Sequence, residues 1–528
     1  MTGATIRLDV TNGSGAAYAA YPLARTWSEA QATWLSAATG TAWARSGASG
    51  STDRAAIAIA TVRARASGAI SVPVDASGLA AIQRWVDAPA DNHGLVFAGT
   101  SSSDGLAFRS REHGTASSRP RLVVTYRPAV APPPPQSGVT YHVDSTSGDD
   151  ARDGKSEATA WRTLAKANAA PLAPGDALVF RRDRTWSGTL TVSRSGTAAS
   201  PIRIGAYGTG ASLPRVTGAS TCVRITGSDV RIEGLHADDC SWAGFELAGV
   251  RDAVVRSRAT RNAAGFYVKS GSTHGQILDN QIVDNDKMSV LTQGGDDDSG
   301  AFGVVLHGDH TEIARNTISG CDAFSYDYGR DGGAIEIYGG QYNHIHHNVA
   351  IDNDAFTELG NARSKENVFA YNLVRSSLPS SVFLVTRGAA SSYGPVLATR
   401  AYNNTVYLTG ASSQGFVCHA GCGPSILTMR NNVIQAGWKV GYADAAFDED
   451  YDLFWQGQLQ FTRGPHTIVA QPGFLSPTSF DLRLLATSPG IDSGLSGLGQ
   501  TVDLDGKSVP RDGDGDGAGA VDRGAYER

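Results

Sequence analysis

An asparagine returns once per stretch of similar length through the second half of this chain. It stands in LDNQI, ARNTI, HHNVA, AYNLV, YNNTV and RNNVI, as Asn280, Asn316, Asn348, Asn372, Asn404 and Asn432. The intervals are 36, 32, 24, 32 and 28 residues, and an apolar residue follows each within two positions. Short β-type runs lie between them: GFYVKSG, GVVLHG, AIEIYGG, VFLVTRG and GFVCHAG. A strand-built repeat of roughly 20–50 residues is the signature of a β-solenoid, in which each unit buries its apolar face only by stacking on its neighbours. Asparagine suits the corner of such a coil. It tolerates left-handed backbone, and its amide both donates and accepts, so each can bond the Asn above and below.

At 528 residues the chain has room for a solenoid and a second domain. Its 62 glycines and scarce helical periodicity fit short strands and turns, giving an all-β fold class. A net charge of −6 argues against nucleic acid and anionic membranes as partners. No apolar run approaches the roughly 18 residues of a membrane span. Five cysteines are too few for a disulfide scaffold. Cys222 with Cys240 suits a bridge between neighbouring coils, and Cys418 with Cys422 a small closed loop. Buried thiols are the alternative for both pairs and the favoured reading for Cys321. ATIRLDV near the start already reads as a strand. The true start, with its export signal, is expected to lie outside this sequence, and the protein to be a secreted, extracellular monomer.

Residues 128–139, PAVAPPPPQSGV, form a proline-rich linker of the semi-rigid, extended kind. Before it, residues 1–127 carry RTWSEAQATW, IQRWVDAPADNHGLVF and FRSREHGTASSRPRLVVTY in that order. This order resembles the DNRLRE family of β-sandwich modules on secreted bacterial proteins, some of which bind carbohydrate. The resemblance covers about the last two thirds of such a module. Trp27, Trp34 and Trp85 are expected in the sandwich core, with sugar stacking as the alternative.

Residues 140–528 open with TYHVDSTSGDDARDGKSEATAWRTLAKANAAPLAPGDALVFRRDRTWSG. This resembles the opening of right-handed parallel β-helix proteins of the secreted polysaccharide-degrading type. There a short amphipathic helix caps the first coil, and WRTLAKANAA is the candidate here. The cap hides apolar surface and strand edges. The far end, VDLDGKSVPRDGDGDGAGAVDRGAYER, resembles a recurrent closing segment of bacterial β-helix proteins. Asp512, Asp514 and Asp516 alternate there like calcium-loop ligands, but the downstream Glu of such a loop is missing. A solvated acidic turn is the favoured reading, Ca²⁺ the alternative, and no cofactor is required.

Stacking the coils places side chains in columns. In the strands at 245–248, 266–269, 304–307 and 335–338 the first and third residues are apolar and point inward. Glu246, Tyr267, Lys269, Val305, His307, Glu336 and Tyr338 then point outward. At ~4.8 Å between coils, Lys269, His307 and Tyr338 form one titratable column with Glu336 beside it. A fifth strand, at 356–359, breaks the pattern: Thr357 reads as outward and Glu358 as inward. Two long loops, at 284–303 and 321–333, lead into the His307 and Glu336 strands. They bring Asp296, Asp297, Asp298, Asp322, Tyr326, Asp327, Tyr328, Arg330 and Asp331 to the same face. Loops that interrupt a solenoid tend to form its binding face, and acids with tyrosines suit a sugar chain. Tyr267, Glu246, Arg387 and His419 are further candidates for substrate contact.

Two chemistries compete. Glycoside hydrolysis needs two carboxylates in different protonation states. Glu336 with Asp331 is the first pair, and Glu358 and Asp327 are the reserves. β-Elimination on a uronate polymer needs a base, for which Lys269, His307 and Tyr338 are candidates. It also needs a cation, from Arg330, Arg387 or Ca²⁺ on residues 296–298, to neutralise the carboxylate. Aspartates clustered with a lysine on a β-helix strand resemble one class of pectate lyases. Here the central strand offers Glu336 instead, and acidic loops repel a polyanion. A polysaccharide hydrolase is therefore favoured, a lyase is the alternative, and a non-catalytic adhesin is the second alternative. The histidines of NHIHHN alternate in direction at a corner and read as turn and surface residues.

Overall fold

The computed structural model describes all residues except 1–2, 75, 88–90, 100–103, 116–117, 126–137, 500 and 516. The chain divides into two compact units, Met1–Pro132 and Pro133–Arg528. In the first, Gly3–Asn12 pairs antiparallel with Gly68–Pro73, Ala107–Phe108 and Arg121–Thr125. A second antiparallel sheet joins Ala60–Val62, Tyr18–Pro22 and Leu95–Gly99. Ile6, Leu8, Val10, Val62 and Ile82 fill the space within this unit. Trp85 packs on that core from the helix Ala76–Asp87, as expected. Trp27 and Trp34 do not: they are 41% and 72% exposed. Trp27 donates to the His93 carbonyl (2.8 Å), in the segment just before the strand Leu95–Gly99.

In the second unit the chain winds through three parallel sheets of 12, 12 and 11 strands. The first sheet runs from Thr140–Val143 to Asp448–Asp450, the second from Thr185–Ser187 to Ile468–Val469, and the third from Leu190–Val192 to Gln458–Gln460. Each circuit adds one strand to each sheet. Inward side chains from successive rungs stack into the core, as in the column Ile277, Ile313, Ile345 and Phe369. Full burial of one such side chain contributes roughly 1.5–3 kcal/mol.

The asparagines form a continuous buried ladder. Each side-chain amide donates to the next Asn Oδ1, through Asn280, Asn316, Asn348, Asn372, Asn404 and Asn432, at 2.8–3.0 Å. Each also donates to a core-side carbonyl and accepts from backbone, so corner groups that face no water are satisfied. Asp452 ends the ladder, accepting from Asn432. The left-handed turn does not sit on the ladder asparagine. It falls on the residue before it: Asp279, Arg315, His347, Tyr371, Asn403 and Asn431, all with φ between 52° and 58°.

The first coil is capped by the helix Leu164–Asn168, inside the expected segment. Thr163 caps it by accepting from the Lys166 N–H, and Leu164 and Ala167 are buried. Disulfides join Cys222 to Cys240 and Cys418 to Cys422, and Cys321 is a buried thiol. The far segment lies along the outer face of the second sheet. Phe474, Leu482, Leu484 and Ile491 pack there on Leu373, Val433 and Leu453. Among the described residues no helix is long and apolar enough to cross a membrane.

Candidate active site

The third sheet carries the expected column of outward side chains. Its pairing puts Glu246, Tyr267, Val305, Glu336 and Glu358 side by side on five successive strands. The apolar residues flanking them, from Phe245 and Leu247 to Ile335 and Ile337, are fully buried, so the expected alternation holds for the first four. The fifth strand is shifted by one residue from the sequence reading. Thr357 pairs with Ile335 and is buried, and Glu358 pairs with Glu336 and faces out. Phe356 turns inward at the corner, where it stacks on Phe383 at 5.6 Å. A one-residue slip exchanges the two faces of a strand.

Two hairpins wall one side. Met288–Val290 pairs with Ser299–Gly300, and Ala323–Ser325 with Gly329–Asp331. They lock each other through two aspartates. Buried Asp298 accepts from Thr292 N (2.7 Å), Ser325 Oγ (2.9 Å), Tyr326 N (2.6 Å) and Asp327 N (3.2 Å). Asp327 in return accepts from the backbone of Asp297 (2.8 Å) and Asp298 (2.9 Å). Burial alone would raise the Asp298 pKa, but these donors outweigh it and hold the carboxylate ionised. Tyr328 donates to Asp296 (2.6 Å), and Arg330 is paired with Asp322. Asp327 is thus a loop-holding residue in this arrangement. Oxygens of Asp297, Asp298 and Asp327 also lie within 4.8 Å of one another, the spacing of a cation site. The same holds for Asp492, Asp512 and Asp514, where Asp512 and Asp492 accept loop N–H groups. Asp516 lies outside the described residues.

Five carboxyls converge where the second hairpin meets the sheet. Burial raises Glu336 well above the ordinary glutamate range, with Glu358 and Asp331 adding to the shift and Arg387 opposing it. Asp331, the last residue of the hairpin stem, is pushed up to about 6 by burial and by Glu358. Asp354, immediately before the Glu358 strand, is pushed up to about 7 by burial and by Asp322 and Asp331. Glu358 is bonded by Arg387 from the next rung. One carboxyl that keeps its proton therefore lies beside one gripped by a guanidinium. Asp354 was missed in the sequence because DNDAF reads as an ordinary corner; only its place one rung beyond the long loop marks it.

Beyond the glutamates, Lys269, His307 and Tyr338 line up on adjacent rungs as expected. His307 lies edge-on to Tyr267 (5.4 Å between ring centres) and near Tyr338 (5.9 Å). Desolvation lowers its pKa, so the ring is neutral. Lys269 points to Glu246 (3.7 Å), which Arg224 also reaches (3.3 Å); this buried acid is part of an ion cluster and contributes to the wall. Arg387 and His419 are paired neighbours on the far side. Phe324, Tyr326, Tyr328, Tyr338 and Tyr393 are all exposed, on this sheet and its loops. Tyr393, absent from the sequence reading, has the Arg387 guanidinium 5.7 Å from its ring centre.

Residues 221–446 match the family model for the right handed beta helix region. That stretch is a right-handed parallel β-helix. Lacto-N-biosidase of Bifidobacterium longum subsp. longum is 40% identical over 76 residues, 14% of this chain and 5% of that protein. The chain therefore spans a small fraction of that relative's length. Among solved structures, pectate lyase Pel9A aligns at a TM-score of 0.50 and 16% identity, over 74% of this chain and 96% of its own. The native GH136 lacto-N-biosidase from Eubacterium ramulus aligns at 0.47 and 16%, over 63% of this chain and 67% of its own.

Proposed function

We propose that the third-sheet groove hydrolyses a glycosidic bond in a neutral or weakly charged glycan, outside the cell. The observation that carries this reading is the in-register pair Glu336 and Glu358, one holding its proton and the other gripped by Arg387. A carboxyl that holds its proton beside one paired with a cation suits general-acid cleavage of an acetal. Glu336 donates its proton to the glycosidic oxygen as that C–O bond breaks. Glu358 attacks the anomeric carbon. Water then releases the sugar, with Glu336 taking the water's proton. Residues one rung apart start ~4.8 Å from each other, which favours the short carboxyl separation (~5–5.5 Å) of retaining enzymes. The acids of the rim repel polyanions, and the tyrosines suit sugar faces. Glycan cleavage is also the activity carried in the name of the curated relative.

β-Elimination is the second reading, favoured by neutral His307 one rung from Glu336. A panel of neutral and uronate polysaccharides separates the readings, with reducing ends and ultraviolet absorbance followed together. New reducing ends without unsaturated product support hydrolysis. Both signals together support a lyase, and silence across the panel supports a binding protein.

A further inference from the structure

The second sheet presents different chemistry on its outer face. Arg215, His236, Arg258 and Gln281 occupy paired positions on four successive strands, forming a column that repeats at the rung spacing. The same column continues as Thr317, Val349, Leu373, Thr405, Val433 and Leu453. Its later apolar members are covered by the chain's own closing segment. The earlier, polar members, of which Arg215 and Arg258 are cationic, line a recess of about 800 Å³, walled by the loop at 211–213 and by Asp183 and Arg184.

Four arginines line this recess, Arg184, Arg215, Arg256 and Arg258, against two aspartates; three of the four are paired with acids outside the lining, Arg184 with Asp144, Arg215 with Asp238 and Arg256 with Glu233, and Arg258 is the one left for a ligand. Both aspartates have partners: Asp183 accepts from Ser212 N (2.7 Å), and Asp279 from Arg315 (3.1 Å). The guanidiniums are held from beneath. Buried Asp144 bonds Arg184 (3.0 Å), and fully buried Asp238 bonds Arg215. The Arg258 side chain is exposed and has no ion-pair or hydrogen-bond partner among the described residues.

We propose that this recess binds an acidic glycan segment, one carrying carboxylate or sulfate groups, at a site separate from the third-sheet groove. A guanidinium fork matches planar carboxylates and sulfates, and Arg258 offers a whole one beside the paired Arg215 and Arg256. Thr185, Ser212 and Gln281 in the lining suit sugar hydroxyls. The rung repeat of ~4.8 Å is close to the length of one sugar unit, so successive side chains meet successive residues of a chain. The recess has no phenyl, phenol or indole ring in its lining, so it lacks the stacking platforms on which single-stranded nucleic acid binds. Binding here does not depend on the hydrolase reading, because the two sites use different sheets and different side chains.

Calorimetry on the full chain tests this with trigalacturonate, a chondroitin sulfate tetrasaccharide, maltotriose and a single-stranded DNA decamer. Expected is binding of one or both acidic sugars, weakened by salt, with maltotriose silent. The two acidic arms show whether carboxylate or sulfate is preferred. Arg258→Ala lowers that affinity about tenfold or more, the size of one lost charged hydrogen bond, and Arg258→Glu abolishes it, while Glu336→Gln leaves it unchanged. No binding of either acidic sugar, equal binding of maltotriose, or tighter binding of DNA overturns the proposal. So does unchanged affinity in a natively folded Arg258→Glu protein.

Discussion

Glu336 and Glu358 occupy paired positions on consecutive rungs of the third sheet, and Arg387 reaches back from the rung beyond to bond the second. The two glutamates share a column but differ in surroundings, and that difference assigns them different roles. Glu336→Gln is expected to lower kcat by about 10²–10⁴, the usual contribution of a general acid, with no loss of thermal stability. Glu358→Ala is expected to be comparably slow. Azide restores turnover in Glu358→Ala if Glu358 is the nucleophile, because the small anion fills its place at the anomeric carbon. Mass spectrometry of the products with and without azide checks this, since rescue releases the leaving sugar and a glycosyl azide; full activity in Glu336→Gln removes it from the mechanism.

The alkaline limb of the pH profile follows from the proton on Glu336. The donor must be protonated, so activity falls as pH rises through its elevated pKa. Asp331 contributes to that elevation by charge. Asp331→Asn removes the charge, lowers the Glu336 pKa and moves the alkaline limb to lower pH by a fraction of a unit. A kcat profile from pH 4 to 9 on both proteins reads the shift; a limb that stays in place or moves upward contradicts the assignment.

Much of the frame was legible because it is periodic. The asparagine spacing reports a corner that repeats, and inward Phe, Val and Ile report rungs that stack. The location of the left-handed turn was not legible, since Asp279, Arg315 and Tyr371 carry it without sharing a side-chain type. The register at Glu358 was hidden for a related reason. Phe356 looks like the first core residue of its strand, yet it packs at the corner, and a buried Thr357 takes the inward place. Arg387 read as a cation for a substrate carboxylate. Its pairing with Glu358, 29 residues earlier, is set by rung register, which sequence alone does not give.

Asp354 predicts a pH-dependent stability. Its folded pKa is about 7, raised from 3.8. The folded carboxyl keeps a proton that the unfolded chain releases above pH ~4. Folding is therefore favoured in acid, loses stability as pH rises toward 7, and levels off above it. Asp354→Asn should raise stability at pH 8 by on the order of 2 kcal/mol and change little at pH 4. Denaturant unfolding at the two pH values checks the sign.

The two hairpins should loosen together. Asp298 holds the backbone of 326–327, and Asp327 holds that of 297–298. Asp298→Asn or Asp327→Asn is expected to increase hydrogen exchange in both loops, not only the mutated one. The double variant should be less than additive, because the pair acts as one clasp. KM is expected to rise several-fold with the rest of the solenoid still protected. Exchange confined to a single loop would mean the clasp does not couple them.

Asp452 is the acid at the end of an amide ladder. Its Oδ1 accepts from the backbone and side chain of Asn432 (2.6 and 2.8 Å), while its buried Oδ2 has no partner. Burial and the nearby Glu449 raise its pKa well above the aspartate range. At every earlier rung an amide nitrogen occupies the corresponding place and donates to a core carbonyl. Asp452→Asn keeps the acceptor for Asn432, adds that donor, and removes the proton uptake required to bury a carboxyl. The variant is expected to melt a few degrees higher at pH 8, with the gain shrinking toward pH 4, where the acid is already neutral. In contrast, Asn372→Ala in mid-ladder strands buried donors and acceptors at about 1–3 kcal/mol each and should lower Tm at both pH values. Calorimetric scans of the two variants at both pH values test the ladder from its end and its middle.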